Sequence, residues 1–73
     1  MFTIQVFSEA TGRAVSGQKV GVSIGAFDGV KYEYTDAHGQ AHFDYPTQSD
    51  SEVYIDGKIV HSGQVGGRIV VYV

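Results

Sequence analysis

Residues 34–45, with the sequence YTDAHGQAHFDY, form the densest group of side chains in this chain that could carry chemistry. Two aspartates and two histidines lie within these twelve residues, and both residue types occur in acid/base and metal sites. His38 and His42 are four positions apart, which would place them on one face of a helix. Gly39 and the alternation of apolar and polar residues around it argue against a helix. On an extended strand the same spacing covers about 13 Å, too far to share a metal ion.

A metal site would need a further ligand, because zinc takes three or four protein ligands. A metal-dependent site built on His38, His42 and His61 is therefore one hypothesis for the function. The other interpretation is a tight turn between two strands. Asp36 would accept a hydrogen bond from the backbone two residues later, and Gly39 would supply the positive φ that closes a hairpin. We adopt the turn and predict a non-enzymatic protein with no catalytic residue, no metal and no cofactor.

The composition limits the remaining functions. The net charge is −3 and the five basic residues are scattered, so the basic stripe typical of nucleic-acid binding is absent from the sequence. There are no cysteines for disulfides or thiol chemistry. No apolar run has transmembrane length, and the N-terminal residues do not resemble a signal peptide. We expect no nucleic-acid or membrane partner, with a cytoplasmic location if the chain is complete and an extracytoplasmic one if it is excised from a longer protein.

Apolar and polar residues alternate through most of the chain, which is the period of a β-strand. The alternation is clearest in residues 2–6, 19–26, 41–45 and 52–56. Turn signals separate these segments at Thr11-Gly12, Asp28-Gly29, His38-Gly39, Asp56-Gly57 and Gly66-Gly67. The spacing predicts an all-β fold, a small single-domain sandwich or partly open barrel over residues 1–73. We expect about seven short, mainly antiparallel strands and no substantial helix.

Two motifs resemble the transthyretin-like, or carboxypeptidase regulatory-like, β-sandwich domains. The first motif lies in residues 10–24 and comprises Thr11, Gly12, Val15, Gly17, Val20 and Val22. The second lies in residues 34–46 and comprises Thr35, Asp36, Gly39 and Phe43. Bacterial immunoglobulin-like modules share much of this pattern. The resemblance implies a seven-stranded accessory or interaction module. The chain lacks the Tyr-Arg-Gly-Ser tail of the hydrolytic branch of the transthyretin family, so no catalytic residues are carried over.

The direction of two tyrosines depends on the length of the loop before them. If Asp28 and Gly29 form a two-residue hairpin loop, Tyr34 faces Ser23, and Tyr32 and Tyr34 point away from the apolar face of the preceding strand. An exposed strip would then consist of Phe27, Val30, Tyr32 and Tyr34. If the loop is bulged or longer by one residue, the tyrosines move into the core. The sequence leaves both interpretations open.

The C-terminal segment, residues 68–73, is apolar on both faces of the predicted strand. Ile69, Val71 and Val73 lie on one face, and Val70 and Tyr72 lie on the other. A strand of this kind is either central between two layers or buried by a second subunit.

These patterns favour a protein-interaction or accessory module that binds a protein partner or a second copy of itself as a homodimer. The candidate interaction surface comprises Tyr32, Tyr34, Val70 and Tyr72. A carbohydrate-binding module is the alternative, because tyrosine rings beside polar groups can stack on sugars and hydrogen-bond to their hydroxyl groups.

Overall fold

The computed structural model describes residues 1–25 and 29–73, and these residues form an all-β structure without a helix. The strands in these ranges are β1 (Phe2–Phe7), β2 (Lys19–Ser23), β3 (Val30–Tyr34), β4 (Gln40–Phe43), β5 (Gln48–Ile55), β6 (Lys58–Val65) and β7 (Gly67–Tyr72). The described part of the chain accordingly has no helix long and apolar enough to cross a membrane. The predicted fold class is confirmed.

The strands form two sheets that enclose one apolar core. A three-stranded sheet has the order β4-β1-β7, and a four-stranded sheet has the order β3-β2-β5-β6. All the strand pairs in these sheets are antiparallel except β1 and β7, which run parallel. The arrangement is a small sandwich with mainly antiparallel strands, as the alternation in the sequence predicts.

The core consists of the inward-facing members of the alternating segments. The rings of Phe2 and Phe43 stack at 5.3 Å between centroids on the paired strands β1 and β4. The other buried apolar side chains are Ile4, Val6, Val20, Val22, Ile24, Ala41, Val53, Ile55, Val65 and Val71. Burying a side chain of valine size or larger contributes about 1.5–3 kcal/mol, so this cluster is the main source of stability.

The turn predicted around Asp36 forms, but it does not close a hairpin. Asp36 Oδ1 accepts hydrogen bonds from the backbone N–H groups of His38 at 2.8 Å and Gln40 at 3.1 Å. Gly39 has a φ of +76°, as predicted. However, β3 belongs to the four-stranded sheet and β4 to the three-stranded sheet. The turn therefore carries the chain from one sheet to the other.

The connection between β2 and β3 is longer than the two-residue loop predicted at residues 28–29. Ser23 pairs with Val30 and not with Tyr34, so residues 24–29 join the two strands. Phe27 and Asp28, which belong to the predicted strip and the predicted loop, lie outside the described residues.

The register is displaced from the tight-turn prediction by four residues, since Ser23 pairs with residue 30 in place of residue 34. An even displacement leaves each side chain on the same face of the sheet. Tyr32 therefore lies on the face of Gly21, with which it pairs, and the buried Val22 pairs with the charged Lys31. The interpretation that places Tyr32 and Tyr34 in the core is wrong.

Of the two alternatives that its two apolar faces leave open, β7 does not take the central position. It lies at an edge of the three-stranded sheet, next to β1. Val71 is buried, whereas Val70 is 38% and Tyr72 is 59% exposed. The outward face of β7 therefore carries apolar side chains that remain partly exposed.

Candidate interaction surface

The outer face of the four-stranded sheet carries a group of apolar and aromatic side chains on three of its strands. Tyr32 and Tyr34 on β3 are 53% and 64% exposed, and Ile59 on β6 is 54% exposed. Directly opposed residues share a face, so Tyr54, which pairs with both Gly21 and Ile59, belongs to the same side. We call this group the tyrosine face, and its members are Val30, Tyr32, Tyr34, Tyr54 and Ile59.

Gly21 makes the floor of the tyrosine face. A Cβ atom at this position would lie 2.7 Å from Cε1 of Tyr32 and 3.0 Å from Cγ1 of Val30. The ring of Tyr32 therefore lies directly against the backbone of β2. Only glycine leaves room for this approach, since any other residue would push the ring outward.

Lys19 makes a second contact with the ring of Tyr32. Its Nζ atom lies 4.4 Å from the centroid of Tyr32, which is cation–π geometry. An exposed contact of this kind contributes about 0.5–1 kcal/mol. Tyr32 is thus exposed to solvent, while Gly21 lies beneath its ring and the Nζ atom of Lys19 lies over it.

A shallow concavity of about 340 Å³ is lined by Tyr32 and Tyr54 together with Lys19 and Asp56. Asp56 lies in the two-residue loop between β5 and β6, where it has a φ of +52° and Gly57 has a φ of +78°. Positive φ at both positions defines the type I′ turn of a tight hairpin. This loop confirms the turn signal at residues 56–57 and places a carboxylate beside the two rings.

Tyr54 presents its ring while its hydroxyl group is occupied. The hydroxyl donates a hydrogen bond to Oε1 of Glu52 at 2.7 Å. This bond to the carboxylate raises the pKa of the Tyr54 phenol above its ordinary value, because loss of the proton would leave two negative groups in contact. The phenol therefore stays neutral.

The other half of the predicted surface, Val70 and Tyr72, lies on the outer face of the other sheet. The ring of Tyr72 packs against that of its partner across the strands, Phe7, at 6.0 Å between centroids. The outer faces of two packed sheets point in opposite directions. Consequently the four predicted residues form two separate surfaces.

Sequence reasoning missed Tyr54 and Ile59. The alternation of residues 52–56 already directs Tyr54 away from the core, since Val53 and Ile55 are the buried members. The alternation does not predict which strands pair. The pairing of β5 with β2, a contact between distant parts of the chain, places Tyr54 beside Tyr32.

The three histidines do not form a metal-binding group among the described residues. His42 on β4 has its Nδ1 atom 3.0 Å from Oγ1 of Thr3 and its Nε2 atom 3.4 Å from Oδ2 of Asp36. His61 lies on β6 in the other sheet, with Nε2 3.0 Å from the carbonyl oxygen of Gln64. Among the residues that the structure describes, no three or more His, Cys, Asp or Glu side chains form a group that could hold a metal ion.

The segment around Asp36 makes hydrogen bonds that hold the local structure. The backbone N–H groups of Gln40 and His38 hold the pKa of Asp36 below its ordinary value, because they stabilise the carboxylate. Thr35 is buried; its hydroxyl donates to the carbonyl of Val15 at 2.6 Å and accepts from the N–H of Gln18 at 2.8 Å. These bonds tie the loop before β2 to the turn before β4.

Comparisons with protein-family models, with curated proteins and with solved structures find no match for this chain. The class of protein is therefore given by the architecture alone, an all-β sandwich with a glycine-floored aromatic group on one outer face.

Proposed function

We propose that this chain is a non-enzymatic β-sandwich module that works by protein–protein contact through the tyrosine face. The observation that carries the proposal is the exposure of Tyr32 and Tyr34, which are 53% and 64% accessible on a sheet whose other face is packed into the core. Aromatic and apolar side chains exposed together on a soluble domain are typical of partner surfaces. Tyrosine is also among the residues enriched at the energetic centres of interfaces.

The contacts of the Tyr32 ring with Gly21 and Lys19 support this proposal. Immobilising a mobile side chain at an interface costs about 0.5–1.5 kcal/mol. Tyr32 already rests on Gly21 and against Lys19, so it loses little rotational freedom when a partner covers it. A side chain that is exposed and ordered at once suits a binding role.

The resemblance to transthyretin-like, carboxypeptidase regulatory-like and immunoglobulin-like modules agrees with an accessory role. The motif residues that carry the resemblance have structural tasks here: Thr35 ties a loop, Gly39 adopts a positive φ, and Phe43 stacks in the core. Their tasks leave the outer faces of the sheets free for contact with other proteins.

The test compares two double variants of the same kind on opposite faces. Y32S/Y34S alters the tyrosine face, and V70S/Y72S is the matched control on the other sheet. Sedimentation equilibrium over about a hundredfold range of concentration reports self-association, and capture on the immobilised chain reports other protein partners. We expect Y32S/Y34S to lose association in at least one assay and V70S/Y72S to retain it.

Urea denaturation of both double variants provides the control for folding. Loss of association in V70S/Y72S with retention in Y32S/Y34S would move the interaction to the three-stranded sheet and contradict the proposal. So would a wild-type chain that binds neither itself nor any other protein.

The concavity supports a second candidate, the binding of a carbohydrate. Tyr32 and Tyr54 offer two aromatic rings, and Lys19 and Asp56 offer charged groups that can hydrogen-bond to sugar hydroxyls, around an opening of about 340 Å³. Binding to a glycan array that is lost in the Tyr54→Ser variant and kept in V70S/Y72S would support this function. An array that stays silent at high protein concentration would exclude it.

A further inference from the structure

We propose that the partner at this surface is a second copy of the chain, and that the two copies pair antiparallel through their β3 strands about a two-fold axis at Tyr32. This inference rests on the proposed interaction function and gives that function a geometry. It is carried by the free backbone groups of β3 and by the order of charges along it.

The hydrogen bonds at the two ends of β3 determine which of its residues direct their backbone groups toward β2. At one end of the ladder between β2 and β3 the N–H of Thr35 donates to the carbonyl of Gln18 at 2.9 Å, and at the other end the N–H of Ile24 donates to the carbonyl of Gly29 at 2.9 Å. The register between these two pairs is regular. Hydrogen-bonded pairs alternate along an antiparallel ladder, so those inside it are Val20 with Glu33 and Val22 with Lys31.

The remaining residues of β3 direct their backbone groups the other way. Val30, Tyr32 and Tyr34 turn their N–H and C=O groups toward the free edge, because β3 is the last strand of its sheet within the described residues. An edge with unpaired backbone groups is a template for another strand. With Tyr32 on the two-fold axis, these three residues provide all the hydrogen-bonded pairs of the new ladder.

The side chains of β3 are complementary to themselves in that register. Lys31 of each copy lies opposite Glu33 of the other, and Val30 lies opposite Tyr34 of the other. Lys31 and Glu33 then occupy the non-hydrogen-bonded pairs, in which side chains approach each other most closely. Opposite charges placed directly across two strands attract, and a β-branched residue packs well against an aromatic one.

The same charges select against other partners. Lys31 is half-buried, and both it and Glu33 point toward the inner side of the sheet, since they pair with Val22 and Val20. Inward-pointing charges on an edge strand normally oppose pairing, because a foreign strand would cover them without neutralising them. A second copy neutralises both.

The other edges lack this property. The strands β4, β6 and β7 contain no Asp or Glu, so antiparallel pairing of two copies there would bring no opposite charges together. Pairing through β3 would also join the two four-stranded sheets into one and place both tyrosine faces side by side.

The test reverses one charge at a time. K31E places two glutamates opposite each other at both contacts of the dimer, and E33K places two lysines there. Each variant alone is expected to self-associate at least about tenfold more weakly than the wild type, because like charges directly opposite destabilise a strand pair. Mixed in equal amounts, the two variants again place Glu opposite Lys at every contact and should form a heterodimer of near wild-type affinity.

Sedimentation equilibrium of each variant and of the mixture measures these associations, with one variant carrying a mass tag. The double variant K31E/E33K restores the pairing within one chain and should self-associate like the wild type. If either single variant fails to fold, the double variant still tests whether residues 31 and 33 of the two copies pair. A mixture and a double variant that both stay monomeric would overturn the inference, as would K31E and E33K variants that associate like the wild type.

The inference and the proposed function fail in different ways. A monomeric wild type that captures another protein through Tyr32 and Tyr34 would refute the β3 pairing and leave the interaction function standing. Rescue in the charge-reversed mixture, combined with unchanged association of Y32S/Y34S, would support the pairing and refute the role of the tyrosine side chains.

Discussion

Gly39 meets two requirements, and only one of them is visible in the sequence. Its φ of +76° is the left-handed conformation that a turn before β4 needs. In addition, a Cβ atom at this position would lie 2.7 Å from the backbone oxygen of Val6 and 2.9 Å from Cβ of Ala14. The N–H of Val6 also donates to the Gly39 carbonyl at 2.8 Å. The turn therefore lies in close contact with β1. The two cannot move apart without breaking the hydrogen bond between Val6 and Gly39.

We expect Gly39→Ala to destabilise the protein far more than Gly57→Ala, its matched control. Gly57 has a similar φ of +78°, and a Cβ atom there would meet nothing within 4 Å, so its substitution costs only the left-handed conformation, about 1–2 kcal/mol. Gly39→Ala adds an overpacking cost of about 1–3 kcal/mol. Urea denaturation of both variants measures the difference in the free energy of unfolding. Equal losses would show that the contact with Val6 yields easily.

The lowered pKa of Asp36 predicts that the free energy of unfolding decreases in acid. Its folded-state pKa lies below the ordinary value of 3.8, so the folded state favours the carboxylate more than the unfolded state does. The stabilisation is complete above pH 3.8 and is lost as the pH falls through the lower folded-state pKa. Asp36→Asn has no carboxylate to protonate. Its free energy of unfolding, measured by urea denaturation, should fall less steeply below pH 3.8 than that of the wild type. Parallel pH profiles would contradict the role of Asp36.

At the scale of the elements, β3 shows what the sequence can and cannot predict. Directly opposed residues share a face of the sheet. Once an even register is assumed, the sequence therefore predicts that Tyr32 and Tyr34 lie on the face opposite the apolar side chains of β2. The length of the connection does not follow, because a turn signal at residues 28–29 is a local preference that the pairing of Ser23 with Val30 overrides. Similarly, local chemistry predicts the Asp36 turn, yet the sheet that receives β4 depends on contacts between distant strands.

The same limit applies to β7. Its two apolar faces allow a central strand or a strand buried by a second subunit. Parallel pairing with β1, a contact between the two ends of the chain, places it at an edge of its sheet. Alternation reports which side chains can be buried, and it carries no information on which strand becomes the neighbour. For this reason the sequence pattern groups Val70 and Tyr72 with Tyr32 and Tyr34, although the two pairs lie on opposite sheets.

The packing of β2 against β3 predicts the outcome of Gly21→Ala. The new methyl group would push the Tyr32 ring away from Lys19, while the stability changes by no more than about 1 kcal/mol, since alanine is favoured over glycine inside a strand by a similar amount. Proton NMR measures the contact, because the ring current of Tyr32 shifts the methylene protons next to Nζ of Lys19 upfield. We expect this shift to vanish in Gly21→Ala and in Tyr32→Ser and to persist in Tyr34→Ser. A persistent shift in Gly21→Ala would show that the ring does not rest on Gly21.

At the scale of the whole molecule, a chain of 73 residues has a small core. Domains of this size bury only about 60% of the surface that their unfolded chains expose, so a second copy that covers one edge can contribute noticeably to stability. The ends of the chain are already secured within one copy, since the N–H of Val73 donates to the carbonyl of Phe7 at 2.9 Å and the N–H of Glu9 donates to the carbonyl of Val73 at 2.7 Å. In the proposed assembly, the edge at β3 is where the second copy adds stability.

Pairing through β3 therefore predicts a melting temperature that rises with protein concentration. For a dimer of folded chains, each tenfold rise in total concentration above the dissociation constant adds about 0.7 kcal/mol per chain, because the free folded chain increases only as the square root of the total. In a domain of this size that increment raises the melting temperature by about 3–5 °C. Calorimetry of the wild type and of K31E/E33K should show this rise, and K31E alone should melt at a temperature independent of concentration over the same range. A rise in K31E equal to that of the wild type would place the stabilising contact elsewhere than at the Lys31–Glu33 pairs.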